Sequence, residues 1–231
     1  MSLAANIGIL RDQILGELDD AHDYYENTKS AWRIVASVAN VGASPTTRND
    51  ATGNVTSHED LVEKSRQYIA GPLAEATFLQ FISLFEAFVF DILRLWLTAH
   101  PRSLIGRKLD FKEVLEARDL DDVVAQVVDR ELNGLLYERP AGWFAYLKTK
   151  VNIDRPTVEQ VERIAEAKAT RDALIHNRGV VTVAYLSKSG SLERAGEGVR
   201  LEMDEDYHRA TWRTIRDVVA EVADAASARA A

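Results

Sequence analysis

Between Pro72 and His100 the chain is apolar on nearly every side of a helix, as the stretch FLQFISLFEAFVFDILRLW (78–96) shows. A helix of that kind is stable only where neighbours cover its whole circumference. The window from Phe78 to Leu97 is also about as long as a membrane span, but it contains Glu86, Asp91 and Arg94. Three ionisable groups in hydrocarbon are very costly. The segment therefore reads as the buried spine of a helical bundle, with no membrane partner.

The flanking sequence supplies helices to surround it. Residues from Leu3 to Asn40 place Ile7, Leu10, Ile14, Leu18, Trp32, Val35 and Val38 on a recurring face. The stretch 41–57 is rich in Gly, Ser, Thr, Asn and Asp, which predicts a flexible loop. Ser57, with Asp60 in the third position after it, can cap a helix starting at HEDLVEK, and Pro72 suits the first turn of the next. Shorter helical patterns follow at 111–118, 120–137 and 141–150, and Thr157 with Gln160 makes a capping box for a helix ending near Asn177.

From Val180 the period changes. VVTVAYL (180–186) is rich in β-branched residues, and Val199, Leu201 and Met203 alternate with Arg200 and Glu202, which predicts a β-hairpin. An amphipathic helix over 204–225 and an Ala-rich, frayed tail at 226–231 complete the chain. The expected fold is an all-α helical bundle with a small β-hairpin inserted before the C-terminal helix. Residues 1–40 form a long helix packed on the bundle, and 58–225 form the main helical domain.

Composition narrows the chemistry. Not one of the 231 residues is Cys, which removes thiolate nucleophiles, Cys-ligated zinc and CxxC redox chemistry. With 36 acidic against 28 basic side chains, the net charge of −8 argues against a protein that coats nucleic acid non-specifically, and leaves room for a local basic site. No glycine-rich phosphate loop, serine elbow or dinucleotide fingerprint is present, and His22, His58, His100 and His208 lack ligand spacing. We expect neither metal nor cofactor. The N-terminal residues carry no basic start and no long apolar run, so a cytoplasmic location is expected.

The helix 157–177 breaks the usual amphipathic rule. Counted at about 100° per residue from Val158, the apolar stripe of Val161, Ile164 and Ala165 continues into Lys168, Arg171 and Asp172 at about 280°, 220° and 320°. A helix that points its first half into a core and its second half at a cleft or partner has this pattern. Asp172 and His176 stand four apart, so the carboxylate can reach the imidazole, and the helix terminus also favours a charged His176. Arg171 beside them offers a cation for phosphate. Read on spacing alone, the same residues also suit a structural ion-pair network.

The string RDALIHNRG (171–179) resembles the motif of the HEPN superfamily, in which Arg, a polar residue, three variable positions and His close a long helix of an all-α bundle. The apolar helix upstream, WFAYLK (143–148), and the elements after Gly179 extend the likeness over roughly 58–225. Only the arginine–histidine motif in it is specific. The resemblance implies a metal-independent endoribonuclease, often a toxin or phage-defence effector, whose two protomers build one cleft from paired motifs. Carried over by residue, Arg171 would hold the scissile phosphate, His176 would move protons, and Asp172 would be the polar residue after Arg, where Asn is more familiar. Lys168 adds to the local positive charge, while Asn177 and Arg178 either touch phosphate or only end the helix. A homodimer, RNA or a nucleotide, and an antitoxin or regulatory protein are the implied partners. The alternatives are a silent HEPN-like module that binds nucleotide, RNA or protein through the same cleft, and a scaffold in which the motif only anchors the bundle.

Overall fold

The computed structural model describes residues 1–41 and 47–230. Its first helix, α1 (Leu3–Asn40), lies against the spine with Ile7, Ile14, Leu18, Ala21 and Tyr25 buried in the main core. Two-residue strands β1 (Thr47–Arg48) and β2 (Val55–Thr56) pair antiparallel around a turn in which Asn49 accepts from the Ala51 and Thr52 amides. The remainder of the expected 41–57 loop, residues 42–46, lies outside the described residues. Helix α2 (His58–Tyr68) opens with the expected capping box, in which Ser57 Oγ accepts from the Asp60 amide and Asp60 accepts from the Ser57 amide.

At Pro72 the sequence suggests a new start, yet the helix runs on. A π-helical turn at Ile69–Leu73 joins α2 to α3 (Ala74–Ala99). Proline has no amide hydrogen to give, and the wider turn absorbs the missing bond without ending the helix. In α3, Phe78, Phe81, Phe85 and Phe88 are 0–1% exposed. Each contributes about 1.5–3 kcal/mol by leaving water. The combined run His58–Ala99 is long and apolar enough to cross a membrane, but half of its most apolar window is buried within this chain.

Beyond a short 3₁₀ turn come α4 (Phe111–Glu116) and α5 (Leu120–Leu135), the second capped by Asp119, which accepts from the Asp122 amide. Next are α6 (Pro140–Val151), with Pro140 at its first position, and α7 (Val158–Asn177). Here the expectation of a hairpin at 180–203 fails. Residues Val183–Ser189 form a helix, α8, whose first turn is capped by Thr182 Oγ1 accepting from the Tyr185 amide. Only the ends of the expected hairpin meet, in a single bridge between Val180 and Arg200 supported by Val181 N–H to Val199 O (2.9 Å) and Leu201 N–H to Gly179 O (2.8 Å). Tertiary packing overrides the β-branched preference: Val181, Tyr185 and Leu201 form a second small core with Ala169 and Ala173 of α7.

The last helix, α9 (Glu205–Ala230), runs through the expected frayed tail as far as Ala230; Ala231 lies outside the described residues. Ala223 and Ala226 are fully buried in the main core. Their small side chains let α9 lie close along α1, and ion pairs zip the two in opposite directions: Lys29 with Glu205, Asp19 with Arg216, and Arg11 with Asp224. The result is an all-α bundle whose only strands are the short pair near residue 50, among the described residues.

Where α1, α3 and α9 meet, His208 is fully buried, its Nε2 2.8 Å from Thr77 Oγ1 and its ring 4.1 Å from that of Tyr25. His22 stacks 6.3 Å away, and Glu26 and Lys29 are the nearest charges. Burial pushes the His208 imidazole down to about 4, and lowers His22 as well. Above pH 6.5 the imidazole is neutral in both folded and unfolded chains, so stability is level there. Between 6.5 and about 4 the unfolded chain takes up a proton that the folded chain refuses. We therefore expect about 3 kcal/mol of stability to be lost across that window. Urea denaturation at a series of pH values checks this, since His208→Gln keeps a hydrogen-bonding group near Thr77 and should flatten most of the slope.

Candidate active site

Both ends of α7 are defined by side chains the sequence makes legible. At the start, Thr157 Oγ1 accepts from the Gln160 amide (3.3 Å) and Gln160 Oε1 accepts from the Thr157 amide (2.8 Å). At the far end the chain turns left-handed one residue earlier than the glycine suggests: Arg178 has φ 54° and ψ 33°, and Gly179 follows at φ 78°. The Arg178 and Gly179 amides both donate to Ala173 O, the second at 2.9 Å, which closes the helix. This reversal sends residues 180–189 back along α7, so that α8 forms the second wall of a cleft.

The first half of α7 is apolar inward, with Ile164 and Ala167 in the main core. Its second half is polar and half-buried, as the change of stripe indicates. Lys168 Nζ donates to Glu86 Oε1 of α3 at 2.5 Å and lies 5.4 Å from the centre of the Trp143 ring. Arg171 is 3.9 Å from Glu86 Oε2 and donates to Asp172 Oδ1 at 3.1 Å. Lys188, on α8, donates to Asp172 Oδ2 at 2.9 Å, and Lys168 is 4.0 Å from Asp172 Oδ1. Three cations thus converge on two carboxylates, leaving one positive charge in excess. Burial acts to raise the Asp172 carboxyl, but the Lys188 hydrogen bond, the Lys168 charge and the Arg171 hydrogen bond outweigh it and hold it below the ordinary carboxylate value.

His176 is exposed and, among the described residues, has no hydrogen-bond or ion-pair partner. The expected grip of Asp172 on its imidazole is not formed. Reach along the helix permits that bond, yet Arg171 and Lys188 take the carboxylate's oxygens, and bonds between full charges are the stronger ones. His176 instead lines a cleft of about 290 Å³ between α7 and α8, together with Asp172, Asn177, Thr182, Tyr185 and Lys188. A second cleft of about 170 Å³, lined by Tyr137, Arg139, Pro140 and Lys168, lies on the other side, and Ala169, Asp172 and Lys188 are common to both. The Asp172–Lys188 pair is the partition.

Of the residues singled out in the sequence, Lys168, Arg171 and Asp172 form one charged cluster, and Asp172 also shares a cleft with His176 and Asn177. Arg178 is exposed at the turn and, among the described residues, has no side-chain partner. Three other basic side chains, Lys148, Lys150 and Arg155, lie outside the cluster and bond to Asp154, Ser103 O and Glu221. Arg94, one of the ionisable groups of the apolar window, bonds to Asp129 of α5.

Sequence reasoning misses Lys188, because the strand expected over 180–186 gives no reason to bring it beside Asp172. It also misses Glu166, which is 4% exposed and accepts from Thr170 Oγ1 (2.7 Å), Tyr185 OH (2.9 Å), Tyr207 OH (2.7 Å) and Arg194 Nε (3.3 Å). Glu166 lies off the apolar stripe of α7, so the helical count carries no signal for it.

Among the described residues no group of three or more His, Asp or Glu side chains is placed to hold a metal ion. No protein-family model, curated protein or solved structure matches the chain.

Proposed function

We propose that this chain is a HEPN-like endoribonuclease that cuts RNA without metal, at a site completed by a second copy of itself. The observation that carries the reading is an accessible His176, without a partner among the described residues, on the same cleft as Asp172, the carboxylate that Arg171 and Lys188 grip. RNA brings its own nucleophile, so such a site needs only to move protons and steady the charge on phosphorus. One imidazole takes the proton of the 2′-hydroxyl as its oxygen attacks phosphorus. The bond to the 5′-oxygen breaks, and an imidazolium supplies the proton that this oxygen requires. The products are a 2′,3′-cyclic phosphate and a 5′-hydroxyl. Arg171, with Lys168 and Lys188 nearby, would hold the phosphate oxygens; Asn177 and Arg178 would extend the contact at the helix end.

Each protomer offers one histidine here, so two imidazoles require two copies. Ile175 and Val183, 48% and 65% exposed, are apolar side chains beside the cleft that suit a contact across a twofold axis. An antitoxin or other regulatory protein would act by covering this end of the bundle.

A second reading, a module that binds RNA or nucleotide without cutting it, is favoured by the carboxylate of Asp172 lying directly on Arg171. Incubating the purified protein with RNA in EDTA separates the two. The enzyme reading expects cleavage with cyclic-phosphate and 5′-hydroxyl ends by a dimeric species. Intact RNA after prolonged incubation refutes it, and salt-dependent binding without cleavage establishes the module.

A further inference from the structure

We infer that Asp172 is a resident anion that occupies the phosphate position of this site, and that an RNA phosphate binds by displacing it. The inference rests on the reading of the cluster as a phosphate site, and it adds how that site is kept closed. A carboxylate and a phosphate ask for the same donors, namely planar guanidinium and ammonium groups at 2.7–3.1 Å. Asp172 already has them: Arg171 at 3.1 Å on one oxygen and Lys188 at 2.9 Å on the other, with Lys168 4.0 Å away. It stays ionised because those cations overcome its burial. Glu86 takes the remaining valence of Lys168.

Each oxygen of Asp172 thus has a cation of its own, and an incoming phosphate gains Arg171 and Lys188 only as the carboxylate loses them. Because Asp172 and Lys188 line both clefts, the same displacement would open one cleft toward the other along α7.

The test is made with a short 2′-O-methyl RNA oligonucleotide, which has no free 2′-hydroxyl and is bound without being cut, so that binding is read apart from catalysis. By fluorescence anisotropy Asp172→Asn should bind it about tenfold more tightly than wild type, the worth of one charged hydrogen bond released to the ligand. Adding Lys188→Gln should remove most of that gain, because the released cation is then missing. Asp172→Ser, smaller and neutral, gives the same comparison should the amide disturb folding. Equal or weaker binding by the neutral variants overturns the inference, as does a gain that survives loss of Lys188. If wild type cuts RNA while Asp172→Asn binds no more tightly, cleavage stands and the resident-anion role falls. If nothing cuts but Asp172→Asn binds more tightly, the reverse holds.

Discussion

His176→Ala is expected to fold as wild type does and to lower RNA cleavage by about 10²–10⁴-fold, the usual contribution of a positioned acid or base. The two halves of that expectation have separate grounds. His176 is exposed and has no partner among the described residues, so truncating it removes neither a buried contact nor a satisfied charge. Substitutions at such places change stability by no more than about 0.5 kcal/mol. Activity, by contrast, has no substitute in this cleft: among the described residues His176 is the one histidine that lines it, while His208 is buried where α1, α3 and α9 meet and His100 is stacked on Trp96. Arg171→Ala is a less clean probe. Its guanidinium binds Asp172 and approaches Glu86, so its removal costs about 1 kcal/mol of stability besides the phosphate contact. Initial rates in EDTA, paired with urea midpoints, check both variants. Undiminished cleavage by well-folded His176→Ala would leave the proton-transfer role without a residue.

The contrast between these side chains also shows which information the sequence carries. Capping at Ser57 and Thr157 is legible because donor and acceptor are three residues apart and nothing else competes for them. The burial of α3 is legible because no arrangement of so apolar a helix leaves it uncovered. The Asp172–His176 pair fails because spacing states what can be reached and says nothing of rivals. Lys188 comes from sixteen residues away, across a turn whose helical course depends on Thr182 and on Tyr185 finding Glu166. Read locally, Val180–Leu186 looks like a strand, and a strand there separates Lys188 from Asp172. The misassigned element and the missed residue are one error: the charged cluster is as visible as the path of the chain after Gly179.

That path depends on Glu166, and Glu166→Ala should cost about 3–5 kcal/mol, the penalty for breaking a buried, hydrogen-bonded charge pair. The carboxylate accepts from four side chains. Thr170 belongs to α7 itself, but Tyr185 lies on α8, Arg194 follows it, and Tyr207 opens α9. Burial and the neighbouring Glu166 charge push the Tyr207 phenol well above its ordinary value, and burial raises Tyr185 too, so both hydroxyls remain donors. Arg194 also lies 3.5 Å over the Tyr207 ring and donates to Glu202 O at 2.9 Å, which fixes the return of the chain toward α9. Without the acceptor, three hydroxyls and a guanidinium lose the partner they share, and the guanidinium loses its counter-ion. Glu166→Gln, which keeps an acceptor oxygen, should lose less. The loss should be local first: hydrogen exchange and proteolysis should rise over 180–201 before the bundle of α1, α3 and α9 opens, since the small core around Val181 and Leu201 and a few exposed polar contacts, such as Arg139 with Ser187 and Arg200 with Glu75, then hold that segment. Release of α8 withdraws Lys188 from Asp172, so cleavage and oligonucleotide binding should fall together with this protection. Uniform exchange across the chain, or a stability change below 1 kcal/mol, would show that the carboxylate does not anchor the segment.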